Sequence, residues 1–148
     1  MEIKELYKEI ILDHGKNPRN KGICKQFNRD AKGHNPLCGD KVHIYLKLNK
    51  EQKVDDVSFE GEGCAISLAS ASILTEIIKN KDYNVVKIII NDFINMIKNE
   101  VKISVNSLDD DQKTTIMSLS GVKQFPMRVK CATMAWHTLS SALNEKND

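Results

Sequence analysis

No run of about 20 apolar residues occurs anywhere in this 148-residue chain, so no segment is suited to crossing a bilayer as a helix. The opening, MEIKELYKEI, has acidic residues where a signal peptide would have its apolar segment, and the expectation is a cytosolic protein. Neither sign of charge dominates. Lys and Arg number 22 against 20 acidic residues, with no basic stripe and no acidic tail, which argues against nucleic acid and anionic membrane as partners. Aromatic residues make up only 5%, but hydrophobic residues reach 41%, enough to bury a core without disulfide staples. The length suits a single domain over residues 1–148.

The four cysteines, Cys24, Cys38, Cys64 and Cys131, form no CxxC pair, which removes zinc-ribbon and thioredoxin-type readings. In a reducing compartment they are expected as free thiols, available for catalysis or metal binding. No resolving cysteine sits beside a candidate nucleophile, so a thiol peroxidase or simple redox protein is disfavoured.

The hydrophobic pattern predicts an amphipathic helix over 2–14, carrying Ile3, Leu6, Tyr7, Ile10 and Ile11, and a loop at Asn17–Gly22. A short edge strand is expected over 24–30. Val42, Ile44, Leu46 and Leu48 alternate as in a half-buried strand, and a polar turn over 49–53 leads to a second strand over 54–60. Helices are expected at 65–79, 84–99, 112–120 (stopped by Gly121) and 128–144. The acidic run Asp109–Asp111 suits a solvated helix start better than a metal cage. The class is α+β, a small antiparallel sheet followed by helices packed on it.

Three cysteines have informative surroundings. In Asn35-Pro36-Leu37-Cys38-Gly39-Asp40 the thiol lies in a constrained turn just before a strand, and Gly39 allows Asp40 to return to the same side. Such a pair suits a cation, because alone the two anions repel and the thiol pKa rises. A turn cysteine beside a turn-forming aspartate is the plainer alternative. Gly61-Glu62-Gly63-Cys64 places the second thiol at a helix N-terminus, where the helix dipole favours a thiolate. The small residues after it let that helix pack close to the sheet and bring Cys64 towards Cys38. Burial as a small apolar residue is the alternative. Cys131 follows Arg128 and Lys130, whose charges are expected to lower its pKa, although it too fits a simple core position. Cys24 has neither glycine nor carboxylate partner and reads as structural, and the four histidines are scattered. Three thiolates and one carboxylate make a set suited to tetrahedral Zn²⁺, with the Asp oxygen the more readily displaced ligand.

The segments LYKEIILDHGKNPRNKG, NPLCGD, GEGCAISLASAS and FPMRVKCATMAW, in this order, resemble the SufU-type proteins of the IscU/NifU N-terminal superfamily over about residues 6–140. The resemblance implies a three-stranded antiparallel sheet with helices packed beside it, and zinc held by Cys38, Asp40, Cys64 and Cys131. Lys130, where IscU-type scaffolds usually carry histidine, and an insertion at about 101–124 favour the SufU branch. That branch implies a zinc-dependent sulfurtransferase for iron–sulfur cluster assembly, accepting persulfide sulfur on Cys38. The donor would be a SufS-type, pyridoxal-phosphate-dependent cysteine desulfurase, with zinc exchange freeing the thiol and a downstream iron–sulfur scaffold receiving the sulfur. Arg128 matches a family arginine that holds the released thiolate or guides docking. A scaffold building a [2Fe–2S] cluster on the same residues is the alternative, and a structural zinc module without thiol chemistry is a third.

Overall fold

The computed structural model describes residues 2–99 and 108–144. Three strands, β1 (Arg29–Asn35), β2 (Asp40–Leu48) and β3 (Val54–Glu62), form an antiparallel meander in the order β1-β2-β3. Helices α1 (Ile3–Lys16), α2 (Ala65–Ile78), α3 (Tyr83–Asn99), α4 (Asp110–Ser118) and α5 (Val129–Leu143) surround one face of this sheet. This is the three-stranded α+β architecture anticipated from the sequence. No helix among the described residues is long and apolar enough to cross a membrane.

The strand period decides what the sheet buries. Val42, Ile44, Leu46 and Leu48 of β2 and Val57 and Phe59 of β3 join the hydrophobic core. The β1–β2 hairpin pairs Ala31 with Ile44, Gly33 with Val42 and Asn35 with Asp40, so the chain reverses through Pro36–Gly39. The first strand lies at 29–35 rather than at the expected 24–30. Its sequence, RDAKGHN, has no β-branched residue, and the exposed edge of β2 determines the pairing. Small residues are needed there, because a Cβ on Gly33 would overlap Thr138 of α5.

The fourth helix begins at Asp110, two residues earlier than expected, because Asp109 forms a capping box with Gln112. Gly121 does not stop the helical path. A 3₁₀ segment runs through it from Leu119 to Gln124, and Gly121 is buried against the ring of Tyr7. Of the proposed insertion at 101–124, residues 101–107 lie outside the described residues.

α2 and α5 carry the two later site cysteines, and a buried polar weld fixes their spacing. Trp136 is fully buried and stacked on Phe93, with ring centroids 4.2 Å apart. Its Nε1–H donates to Ser70 Oγ at 3.0 Å, and that hydroxyl donates to the Ala132 carbonyl at 2.6 Å. α1 is fastened to α2 beside them. The Arg19 amide donates to Ser72 Oγ at 2.8 Å, and Ser72 also bonds His14 Nδ1 at 2.8 Å. Burial, with the nearby Arg19 charge, lowers the His14 pKa to about 4, so the ring is neutral.

Ser70→Ala is expected to leave the Trp136 N–H buried without an acceptor, at a cost of about 1–3 kcal/mol and a Tm roughly 3–10 °C lower. Thermal unfolding of metal-free protein measures this, and an unchanged Tm would show that the weld is dispensable.

Candidate metal centre

Cys38 sits on the tip of the β1–β2 hairpin, held there by backbone chemistry. Its amide donates to the Asn35 carbonyl at 3.3 Å, and the Leu37 amide donates to Asn35 Oδ1, also at 3.3 Å. Gly39 follows at φ +67°, a left-handed conformation that costs glycine little. The turn leaves Leu37 71% exposed and Cys38 partly exposed, while Asp40 at its far end is fully buried.

The second turn joins β3 to α2. Gly63, at φ +139°, lies so close to Asp40 that a Cβ there would strike the carboxylate. Cys64 then caps α2 with extended backbone, and its amide donates to Asp40 Oδ1 at 2.9 Å. Burial alone would push the Asp40 carboxyl up. The hydrogen bond from the Cys64 amide, with those of Cys131, Ser67 and Asn35, outweighs burial and holds it below the usual carboxylate range.

Cys131, on the first turn of α5, is buried beneath both turns. Its Sγ lies 3.3 Å from Cys38 Sγ, and Asn35 Nδ2 approaches it at 3.7 Å while reaching Asp40 Oδ2 at 3.4 Å. Ligand atoms of Cys38, Asp40 and Cys131 all fall within 4.8 Å of one another. Cys64 contacts Cys131 but turns its sulfur towards Ser67 Oγ, 3.8 Å away, and is not part of that tight group. Arg128, on the 3₁₀ turn Pro126–Arg128, extends Nη1 to 3.5 Å from Cys38 Sγ.

Two sequence-based expectations need correction. The Cys131 thiol is pushed well up rather than down, by burial and then by its hydrogen bonds to Asp40, Cys38 and Cys64. Lys130 is exposed and Arg128 reaches the rim of the cluster, so neither outweighs burial. A second thiol does sit beside the candidate nucleophile, since Cys131 touches Cys38 although 93 residues separate them. Two soft sulfurs and a hard anionic oxygen in one small volume are a donor set that fits a cation such as Zn²⁺, and a cation among them would reverse the sign of these pKa effects.

Cys24 stands apart, buried and hydrogen-bonded to Asp56, with its pKa raised to about 11 by burial and that carboxylate. No histidine joins the group among the described residues. His43 is paired with Asp30 at 2.5 Å and with the Tyr45 hydroxyl at 3.0 Å. One residue at the site escaped sequence reasoning: Asn35, which starts the Asn-Pro turn, a signal available in the sequence.

The sequence pattern of the NifU-like N terminal domain matches residues 6–145. The chain is 40% identical over 138 residues to the zinc-dependent sulfurtransferase SufU of Bacillus subtilis, covering 93% of this chain and 89% of that protein. It is 33% identical to the iron–sulfur cluster assembly scaffold protein IscU of Thermotoga maritima, covering 98% and 97% of the two chains. The crystal structure of FiSufU from Fervidobacterium islandicum AW-1 superposes with a TM-score of 0.80 at 33% identity, covering 95% of this chain and 98% of that one. The three-stranded meander, the two cysteine-bearing turns and these likenesses converge on one assignment: the chain belongs to the NifU-like N terminal domain family.

Proposed function

We propose that this chain is a zinc-dependent sulfurtransferase that takes persulfide sulfur from a cysteine desulfurase for iron–sulfur cluster assembly. The observation that carries this reading is the position of Cys38. It is a partly exposed thiol on a hairpin tip, in contact with a buried Cys131, two residues from a buried carboxylate and next to an exposed guanidinium. A purely structural zinc site would have less reason to leave thiol ligands partly exposed, as Cys38 and Cys64 are. The proposal assigns the metal to Cys38, Asp40, Cys64 and Cys131, with residues 1–148 acting as one domain.

Zinc bound there keeps the thiols ionised at neutral pH. The chain's own residues then divide the work. Asp40 and Cys131 anchor the site from below, while Cys38 faces the partner. In the transfer step the Cys38 thiolate attacks the outer sulfur of the donor persulfide. A bond forms between the two sulfurs as the donor S–S bond breaks, and the donor cysteine leaves as thiolate. No net oxidation occurs. Arg128 stabilises the Cys38 sulfur anion and guides docking, its Nη1 lying 3.5 Å from that sulfur. Leu37 and Met127, 71% and 80% exposed, flank this point and offer apolar contact to a docking protein. The partner in this reading is a SufS-type desulfurase in the cytoplasm, and a downstream scaffold receives the sulfur.

The relatives named IscU favour a second reading, a scaffold assembling a [2Fe–2S] cluster on the same ligands. Protein purified without oxygen separates the two, because a cluster absorbs visible light and zinc does not.

One zinc per chain is expected by elemental analysis. Cys64→Ser and Cys131→Ser should lose metal and lower stability, whereas Cys24→Ser should keep both. Stoichiometric zinc in the Cys64/Cys131 double serine variant would refute the ligand assignment.

With the cognate desulfurase, cysteine and a reductant, the wild type should raise desulfurase turnover and gain one sulfur atom on the Cys38 peptide by mass spectrometry. Cys38→Ala should abolish the stimulation even where zinc is retained. Equal stimulation by Cys38→Ala would end the sulfur-acceptor reading.

A further inference from the structure

Asn35 ends β1 at the base of the hairpin, only 5% exposed and paired with Asp40 in the ladder. Its oxygens face the tip. The side-chain Oδ1 accepts from the Leu37 amide at 3.3 Å, and the main-chain carbonyl accepts from the Cys38 amide, also at 3.3 Å. Its side-chain nitrogen faces inward, with Nδ2 3.4 Å from Asp40 Oδ2 and 3.7 Å from Cys131 Sγ. One buried side chain thus reaches the turn that carries Cys38, the buried carboxylate, and a thiol 96 residues further along the chain.

The chemistry of these partners fixes how the amide lies. The Leu37 N–H needs an acceptor, which an amide nitrogen cannot supply, so Oδ1 faces Leu37 and the two side-chain N–H groups face the carboxylate and the sulfur. The turn by itself does not call for asparagine. Serine and aspartate make the same contact to a backbone amide two residues on. Serine is too short to reach Asp40 and Cys131 as well, and aspartate would bury a second anion beside Asp40. Asparagine combines an acceptor for the turn with donors for the acid and the sulfur.

We propose that Asn35 is a positioning residue of the metal centre, a single amide that shapes the Cys38 turn with its oxygen and holds Asp40 and Cys131 at a fixed spacing with its nitrogen. This rests on the assignment of Asp40 and Cys131 as ligands. The two ends of the amide do different work. The oxygen keeps Cys38 on the tip. The nitrogen orients the two inner ligands as a pair, as outer-shell hydrogen bonds orient metal ligands in general. The Cys38 sulfur lies beyond this bridge, against Cys131 and Arg128. Asn35 therefore tightens the inner ligands and leaves the acceptor thiol free to move.

The test compares wild type, Asn35→Ser and Asn28→Ser. Serine at position 35 keeps an oxygen for the turn and removes the bridging amide. Asn28 is the control, because its side chain also bonds at both ends, to the amide and the carbonyl of Leu48 at 2.9 and 2.8 Å, at the far end of β2. Asn35→Ser should release zinc to a chromophoric chelator about 10-fold faster than wild type, within the range for loss of an outer-shell partner. Asn28→Ser should release zinc at the wild-type rate even where its Tm falls. A second measurement needs only wild-type protein, loaded with NMR-active cadmium. That nucleus couples to a proton hydrogen-bonded to a ligating sulfur, so a cadmium–proton correlation to the Asn35 side-chain N–H is expected. It stands even if Asn35→Ser folds poorly. Zinc release from Asn35→Ser at the wild-type rate, or cadmium-loaded wild type without a correlation to Asn35, would overturn the proposal. Zinc stoichiometry and sulfur uptake on Cys38 are read separately in wild type, so the sulfur-acceptor reading survives either result. Wild type that binds no metal would remove both.

Discussion

A carboxylate with no exposed surface keeps its charge inside a protein only if donors meet it from several directions, because burial otherwise drives it to the neutral form. Asp40 meets this condition. The Cys64 amide reaches one oxygen at 2.9 Å, Asn35 reaches the other at 3.4 Å, and Cys131 donates as well. These donors come from the first hairpin, the β3–α2 turn and α5. One buried charge therefore ties together the three segments that carry the cysteines. Gly63 is part of the same constraint, since any side chain there would occupy the space of the Asp40 carboxylate.

The scaffold outside the centre serves this convergence. The β1–β2 register closes the hairpin at Asn35 and Asp40, which sets Cys38 on the tip and Asp40 at the base. The Trp136–Ser70–Ala132 weld holds α5 against α2, and with them Cys131 beside Cys64. The gradient of exposure follows from these positions. Asp40 and Cys131 are buried, Cys64 and Cys38 are partly open, and Leu37 and Arg128 face solvent. A metal bound there would be held from within, with Cys38 on the hairpin tip beside the exposed Leu37 and Arg128.

Much of this was legible in the sequence because the site lies on turns, where glycine, proline and asparagine mark the backbone. Gly39 and Gly63 announced the two turns, and the alternation at Val42–Leu48 announced the central strand. The first strand was misplaced because Arg29–Asn35 has little strand character of its own. It pairs because β2 offers an edge and α5 needs small residues beneath Thr138. Gly121 was read as a helix stop when its use is to admit the Tyr7 ring. The Cys131 thiol was judged by its sequence neighbours, Arg128 and Lys130, although burial among Asp40 and the other thiols governs it. Contacts across 93 residues, such as Cys38 with Cys131, have no local signature in a single sequence.

The central claim is that three sulfurs and one carboxylate oxygen converge on one metal. Zinc K-edge X-ray absorption of the purified protein tests it most directly. The account predicts three sulfur scatterers near ~2.3 Å and one oxygen near ~2.0–2.2 Å, with Asp40→Ala losing the carboxylate contribution and keeping the three sulfurs. Two sulfurs with two nitrogen or oxygen scatterers, or imidazole scattering in the wild type, would contradict it.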